Sequence, residues 1–182
     1  MEIESPRLRL RHWRPQDRAA FFAINTEPEV LRYLPPLTRA DSDVMLDRIE
    51  AHFAEHGWGY WALEEKDSAA LIGSCGLMHV SFDAFFTPAV EIGWRLSASW
   101  RGKGFATEAA HAALDQAFGP IGLNRVVSFT SLLNIPSLRV MERLGMTRIG
   151  EFDNPNLTEG HPLRRHVAYE ITPGQDAGRV AR

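Results

Sequence analysis

The chain has 182 residues, 45% of them hydrophobic, and a formal net charge of −3. That suits one domain with a substantial core and lacks the basic excess of a nucleic-acid binder. A single cysteine, Cys75, excludes an intrachain disulfide and a multi-cysteine metal site. Met1-Glu-Ile-Glu-Ser-Pro-Arg7 has no basic-then-apolar leader pattern, and no apolar run approaches membrane-spanning length. A soluble, cytoplasmic protein that binds neither membrane nor nucleic acid is expected.

Arg7 to Trp13 alternates polar and apolar residues, as a half-buried strand does, with its three arginines on a solvated face. Pro15 can start a short helix whose apolar side is Phe21, Phe22 and Ile24, interrupted at Asn25 to Pro28. Val30 to Pro36 is an apolar connection ending in two prolines, which neither continue a helix nor donate to a sheet. Thr38 caps a helix in which Val44, Leu46, Ile49 and Phe53 recur at helical spacing until Gly57 stops it. His52 and His56 lie four apart on that helix, a metal-compatible spacing, but no third ligand is near in sequence and they suit a polar face, so no metal is expected.

Trp58 to Leu63 and Ala70 to Val80, separated by a polar turn, predict an antiparallel hairpin, with Cys75 as a buried structural thiol. Phe85, Phe86 and Pro88 follow in a loop, and Val90 to Leu96 forms the next strand. Then comes Arg101-Gly-Lys-Gly-Phe-Ala106, leading into a helix from Thr107 to Phe118. Gly102 and Gly104 allow positive φ and close approach, and the helix start aims unpaired N–H groups and a positive dipole end into the loop. Arg101 as a planar fork and Lys103 as a mobile charge complete a phosphate cradle. Lys103 and Lys66 are the two lysines in an otherwise Arg-only chain. Arg125 to Thr130 is a strand, Ser137 to Leu144 a helix opened by Asn134-Ile-Pro-Ser137, and Thr147 to Phe152 and Arg165 to Ile171 are the last strand pair. A disordered tail is expected over 173–182.

Hairpin strands together with a crossover helix require a mixed sheet containing one parallel pair. In that pair the Glu91 strand and the Val126 strand present their C-terminal ends, and the helix starts after them, to one crevice, where open α/β sheets bind ligands. A dinucleotide fold fits poorly, because Gly102-x-Gly104-x-x-Thr107 has Thr where the fingerprint has Gly or Ala, and no P-loop pattern is present.

Three stretches, Glu91 to Leu96, Trp100 to Ala109 and Asn134 to Met146, resemble the GNAT superfamily of acyl-CoA-dependent N-acetyltransferases, and within it the RimJ/RimL-like ribosomal-protein N-terminal acetyltransferases. Arg101-x-x-Gly104-x-Ala106 is similar to the family's Arg/Gln-x-x-Gly-x-Gly/Ala. The resemblance implies a single domain over 1–172: a predominantly antiparallel seven-stranded sheet with a central splayed parallel pair, flanked by about four helices. It also implies acetyl-CoA as cosubstrate, an amine acceptor (a peptide N-terminus or a small molecule), and a monomer or homodimer.

Carried over residue by residue, the resemblance gives the coenzyme A pyrophosphate to the backbone of Arg101, Gly102, Lys103, Gly104, Phe105, Ala106 and Thr107. The pantetheine arm goes to the backbone of Trp94, Arg95 and Leu96, and the thiol end to Asn134 and Ser137. Glu91 is the candidate general base, because the attacking amine must shed a proton. Ser137 is the candidate acid, since many members carry Tyr where this chain has Met141, and capping its own helix is its alternative role. His12 and His79 are further candidates on the acceptor side. The loop Asn25 to Leu37 and Trp58, Tyr60, Trp61, Phe85 and Phe86 serve either that side or the core. The rival readings are a sensor or interaction module that binds coenzyme A without catalysis, and an acyltransferase using another acyl-CoA.

Overall fold

Leu8 and Leu10, both fully buried, alternate with arginines and so turn one face of a strand into the core. In the computed structural model, which describes residues 2–175, the elements in chain order are β1 (Ile3–Glu4), β2 (Leu8–Arg11), α1 (Asp17–Asn25), α2 (Pro28–Leu31), α3 (Arg39–His56), β3 (Tyr60–Glu65), β4 (Leu71–His79), β5 (Val90–Leu96), a 3-10 turn (Ala98–Trp100), α4 (Phe105–Phe118), β6 (Val126–Ser131), α5 (Ile135–Arg143), β7 (Thr147–Asp153) and β8 (Arg165–Ile171). The class is mixed α/β. The strand pairs are antiparallel except β5 with β6, which run parallel with Glu91 opposite Val127. The eighth strand and the fifth α-helix, beyond the expected seven and four, are β1 and α2. Two residues are too few to display a period, and Pro28, which reads as an interruption, stands in the first turn of α2. None of the helices among the described residues is long and apolar enough to cross a membrane.

The chain divides into two compact units, Met1–Met78 with Gly93–Ala113, and His79–Ile92 with Leu114–Arg182. In the first, the strands run β1-β2-β3-β4, and the Gly93–Leu96 end of β5 lies beside β4, where Ser97 N–H donates to the Ile72 carbonyl at 2.9 Å. This approach needs Gly73, because a Cβ there would stand 2.0 Å from the Arg95 carbonyl oxygen. Trp61, Leu63, Ile72 and Leu77 are buried to 0% exposure, each such side chain contributing roughly 1.5–3 kcal/mol. Cys75 pairs with Trp61 across the hairpin and is fully buried, which pushes its thiol pKa up, as a structural cysteine requires.

Helix α3 begins with a capping box, Thr38 Oγ1 accepting from Asp41 N–H at 3.1 Å, and ends at Gly57 with φ 78°. Leu46, Ile49 and Phe53 form its buried face. Val44, expected with them, is 49% exposed. Arg7, just before β2, and the two arginines within it also depart from expectation. They do share a face, but each meets carboxylates: Arg7 with Glu108, Arg9 with Glu4 and Glu64, and the buried Arg11 with Asp17 and Glu64.

In the second unit the order is β5-β6-β8-β7. Its core centres on Phe86, Val127 and Ala168, with Phe82, Phe129 and Phe152 packed around them. Phe82 stands edge-on to Phe129 at 5.4 Å, and Phe86 edge-on to Phe152 at 5.1 Å. Pro173 and Gly174 form a turn closed by the Gln175 side chain, whose Oε1 accepts from Thr172 N–H at 2.9 Å. The rest of the expected tail, 176–182, lies outside the described residues.

Candidate active site

β5 ends at Leu96 because the chain turns through Ala98–Trp100 and then through two glycines, Gly102 with φ 73° and Gly104 with φ 85°. A side chain at either position would strain a backbone that L-residues avoid. The Gly104 carbonyl accepts from Glu108 N–H at 3.0 Å, so Gly104 caps α4 without a side chain. Helix α4 therefore starts at Phe105, two residues earlier than its periodicity indicates. Among the described residues, no protein acceptor faces the backbone N–H groups of Gly102, Lys103, Gly104, Phe105, Ala106 or Thr107. Space beyond Gly102 is open, with no atom within 4 Å of where its Cβ would be. Consecutive donors at a helix start suit an anion.

A carboxylate in the first turn of α4 would compete for that cradle, and Glu108 stands there. It is turned away and satisfied by the segment between β1 and β2: Oε1 accepts from Ser5 Oγ at 2.7 Å and Arg7 N–H at 2.8 Å, and Oε2 from Arg7 Nε at 2.7 Å. Burial works against its charge, but these hydrogen bonds prevail and hold its pKa below the usual carboxylate value. Arg7 Nη1 also donates to the Lys103 carbonyl at 3.0 Å, and its guanidinium lies 4.2 Å from the Phe105 ring centre. Lys103 Nζ sits 4.8 Å from the Trp100 ring centre at the exposed rim of the loop.

The Arg101 side chain does something other than fork a phosphate. Its Nε donates to the Leu96 carbonyl at 3.2 Å and Nη1 to the Glu29 carbonyl at 3.1 Å, bracing the end of β5 and α2. It belongs to a ladder of three alternate residues at the α1–α2 corner. Glu27 accepts from Ser97 Oγ at 2.7 Å and Ala98 N–H at 2.6 Å, and Asn25 Oδ1 accepts from Arg95 Nη1. Gly93 admits the Tyr60 hydroxyl, which would lie 2.3 Å from a Cβ at that position. These partners were missed by sequence reasoning. Glu108 and Arg7 gave a faint signal, an acid placed where an anion cradle should repel one and a base able to neutralise it.

In the second unit, Glu91 is partly buried on β5 opposite Val127. Further along β6, Thr130 Oγ1 accepts from Asn134 Nδ2 at 2.9 Å. Asn134 Oδ1 in turn accepts from Ser137 N–H at 3.4 Å, so Asn134 caps α5, which begins at Ile135 rather than Ser137. The Ser137 hydroxyl thus has no capping duty. Met141 is 1% exposed and belongs to the core. Of the aromatics, Trp61 and Phe86 are core, Trp58 and Tyr60 partly buried, and Phe85 is 58% exposed, its ring against Gly150. His52 is buried rather than on a polar face, with Nδ1 2.8 Å from the Trp58 carbonyl. His12 and His79 are exposed.

A mostly antiparallel sheet with one parallel pair, β5 with β6, and five α-helices among the described residues define a mixed α/β class. A family model for the acetyltransferase (GNAT) domain matches residues 7–147, and the chain belongs to that family. It is an acyl-CoA-dependent acyltransferase. It is 31% identical over 155 residues to YnaD of Bacillus subtilis (strain 168), named an uncharacterized N-acetyltransferase, covering 84% of this chain and 86% of that one. Among solved structures it is similar to a GNAT-family acetyltransferase from Bacillus anthracis, with a TM-score of 0.77 at 26% identity, covering 94% of this chain and 98% of that one. It also shares the fold of Mycobacterium smegmatis RimJ in complex with CoA-disulfide, with a TM-score of 0.72 at 21% identity, covering 95% and 86%.

Proposed function

We propose that the protein transfers an acetyl group from acetyl-CoA to a primary amine, a peptide or protein N-terminal α-amine or a small molecule, by direct attack in a ternary complex. The observation that carries this reading is the run of backbone donors from Gly102 to Thr107, exposed at Gly102 to Gly104 and free of protein acceptors among the described residues. They would hold the pyrophosphate, with Lys103 adding charge. Trp94, Arg95 and Leu96 would pair their backbone with the pantetheine arm, and a backbone donor there would stabilise the oxyanion.

Glu91 takes the proton from the incoming ammonium, directly or through water. The freed lone pair attacks the thioester carbonyl carbon, and collapse of the tetrahedral adduct breaks the C–S bond with the electrons leaving on sulfur. Ser137, free of the cap, protonates the thiolate and is re-protonated from water. Asn134 orients the thiol end. The motif resemblance favours a RimJ/RimL-like acceptor, a protein N-terminus, in a cytoplasmic setting.

The test compares thermal midpoints with acetyl-CoA, CoA, ATP and NADP at matched concentrations. Ligand at about a hundred times Kd adds roughly 2.7 kcal/mol. Stabilisation by the CoA ligands alone, followed by thiol release with an amine panel, is expected. Stabilisation by ATP or NADP instead would sink the cradle assignment.

A further inference from the structure

The first unit contains two arginines, one buried and one partly exposed, whose charges are treated very differently. Arg11 is 3% exposed and is held by Asp17 on one side and Glu64 on the other. Arg95 has no carboxylate partner among the described residues. Its Nη1 donates to Asn25 Oδ1 and lies 3.7 Å from Met45 Sδ, and the Tyr60 phenol is the ionisable group near enough to favour its charge. Desolvation lowers its pKa to about 10, so it remains a cation at neutral pH. A covered cation without a counter-ion is costly, and evolution removes such groups or pairs them.

Beside it stands a second uncompensated donor. Asn25 is 2% exposed, and its Nδ2 is buried with no hydrogen-bond partner. The amide orientation follows from chemistry, because Arg95 can only donate, so the oxygen must face it. Arg95 itself keeps partial exposure, which leaves a ligand a way in. A guanidinium and an amide N–H, both donors, match one planar, singly charged oxyanion. A phosphate dianion would retain charge among a thioether and a phenol.

We infer that Arg95, with Asn25, forms a subsite for a carboxylate carried by a substrate, either on the amine acceptor or on the acyl group. Resting on the acyltransferase reading, this makes Arg95 a specificity residue: its backbone serves the cosubstrate and its side chain selects an acidic partner. Glu27 cannot fill the subsite from within, since both its oxygens are taken by Ser97 and Ala98.

The test measures thermal midpoints of the wild type, Arg95→Met and Asn25→Asp with two matched pairs. One is L-glutamate against L-glutamine amide, which replaces both carboxylates by carboxamides. The other is succinyl-CoA against butyryl-CoA. The wild type should bind the carboxylate member of at least one pair about tenfold more tightly, the scale of a charge-assisted hydrogen bond. A gain with glutamate assigns the carboxylate to the acceptor, and one with succinyl-CoA to the acyl group. Both variants should lose the preference. Asn25→Asp supplies Arg95 with an internal carboxylate and should raise the unliganded midpoint, which rules out unfolding as the cause of the loss. No preference in either pair, or a preference that survives in both variants, overturns the inference. Acetyl-CoA, which lacks a carboxylate on its acyl group, should stabilise all three proteins. Its failure would strike the acyltransferase reading while the glutamate comparison still decides the subsite.

Discussion

Glu64 sits 4% exposed between Arg9, Arg11 and Arg14, and removing its charge leaves the buried Arg11 to Asp17 alone. Glu64→Leu should therefore destabilise by about 1.5–3 kcal/mol, the scale of hydrogen bonds to a charged group, and a double variant with Arg11→Met should cost less than the sum of the two single losses in urea unfolding. An additive double variant would mean the pair is not coupled. At Glu91, the proposed general base, the expected signature is kinetic. Glu91→Gln should cut kcat/KM about a hundredfold and flatten the acidic limb of the pH–rate profile, with the acetyl-CoA midpoint shift unchanged. An unaltered profile would remove Glu91 from the mechanism.

The loop from Arg101 to Gly104 works because two glycines adopt positive φ and place successive N–H groups outward. Gly104→Ala keeps space, its Cβ 3.5 Å from Arg7 Nη2, but must hold φ 85°, at a cost of about 1–2 kcal/mol. The expected outcome is weaker acetyl-CoA binding by isothermal titration with only a small fall in melting midpoint. Gly73→Ala should behave oppositely. Its Cβ would collide with the Arg95 carbonyl where β5 lies beside β4, so soluble yield or unfolding midpoint should drop first. If Gly73→Ala melts like wild type, β5 does not lie as closely on β4 as described.

For the molecule as a whole, the sign of its pH dependence follows from groups whose folded pKa lies below the unfolded one. Burial holds His166 below 6.5, against backbone hydrogen bonds at Arg164 and Leu163 that favour its charge. The unfolded chain therefore takes up that proton first, and the contribution of His166 is full above 6.5 and fades as pH falls through its folded value. In Glu64, burial opposes charge but Arg11 outweighs it, and Glu108 is likewise held below 4.5 by Arg7 and Ser5. Their contribution persists above 4.5 and is lost below it. Urea midpoints should fall in two stages, beginning under pH 6.5 and again under 4.5. A His166→Asn variant that keeps the first stage would exclude His166 as its cause. The order of elements, the Thr38 and Gly57 helix ends, the Val90–Leu96 strand and the glycine cradle were all legible in the sequence, because capping, alternation and glycine conformation act over a few neighbouring residues. Local rules could not reveal that Arg7 and Arg11 meet Glu108, Asp17 and Glu64, or that Arg101 braces the Glu29 carbonyl. Nor could they show that Arg95, partly exposed, meets Asn25, Met45 and Tyr60 rather than a carboxylate among the described residues. Each of these depends on which distant side chain arrives beside another, and pairing across the chain is decided by tertiary packing.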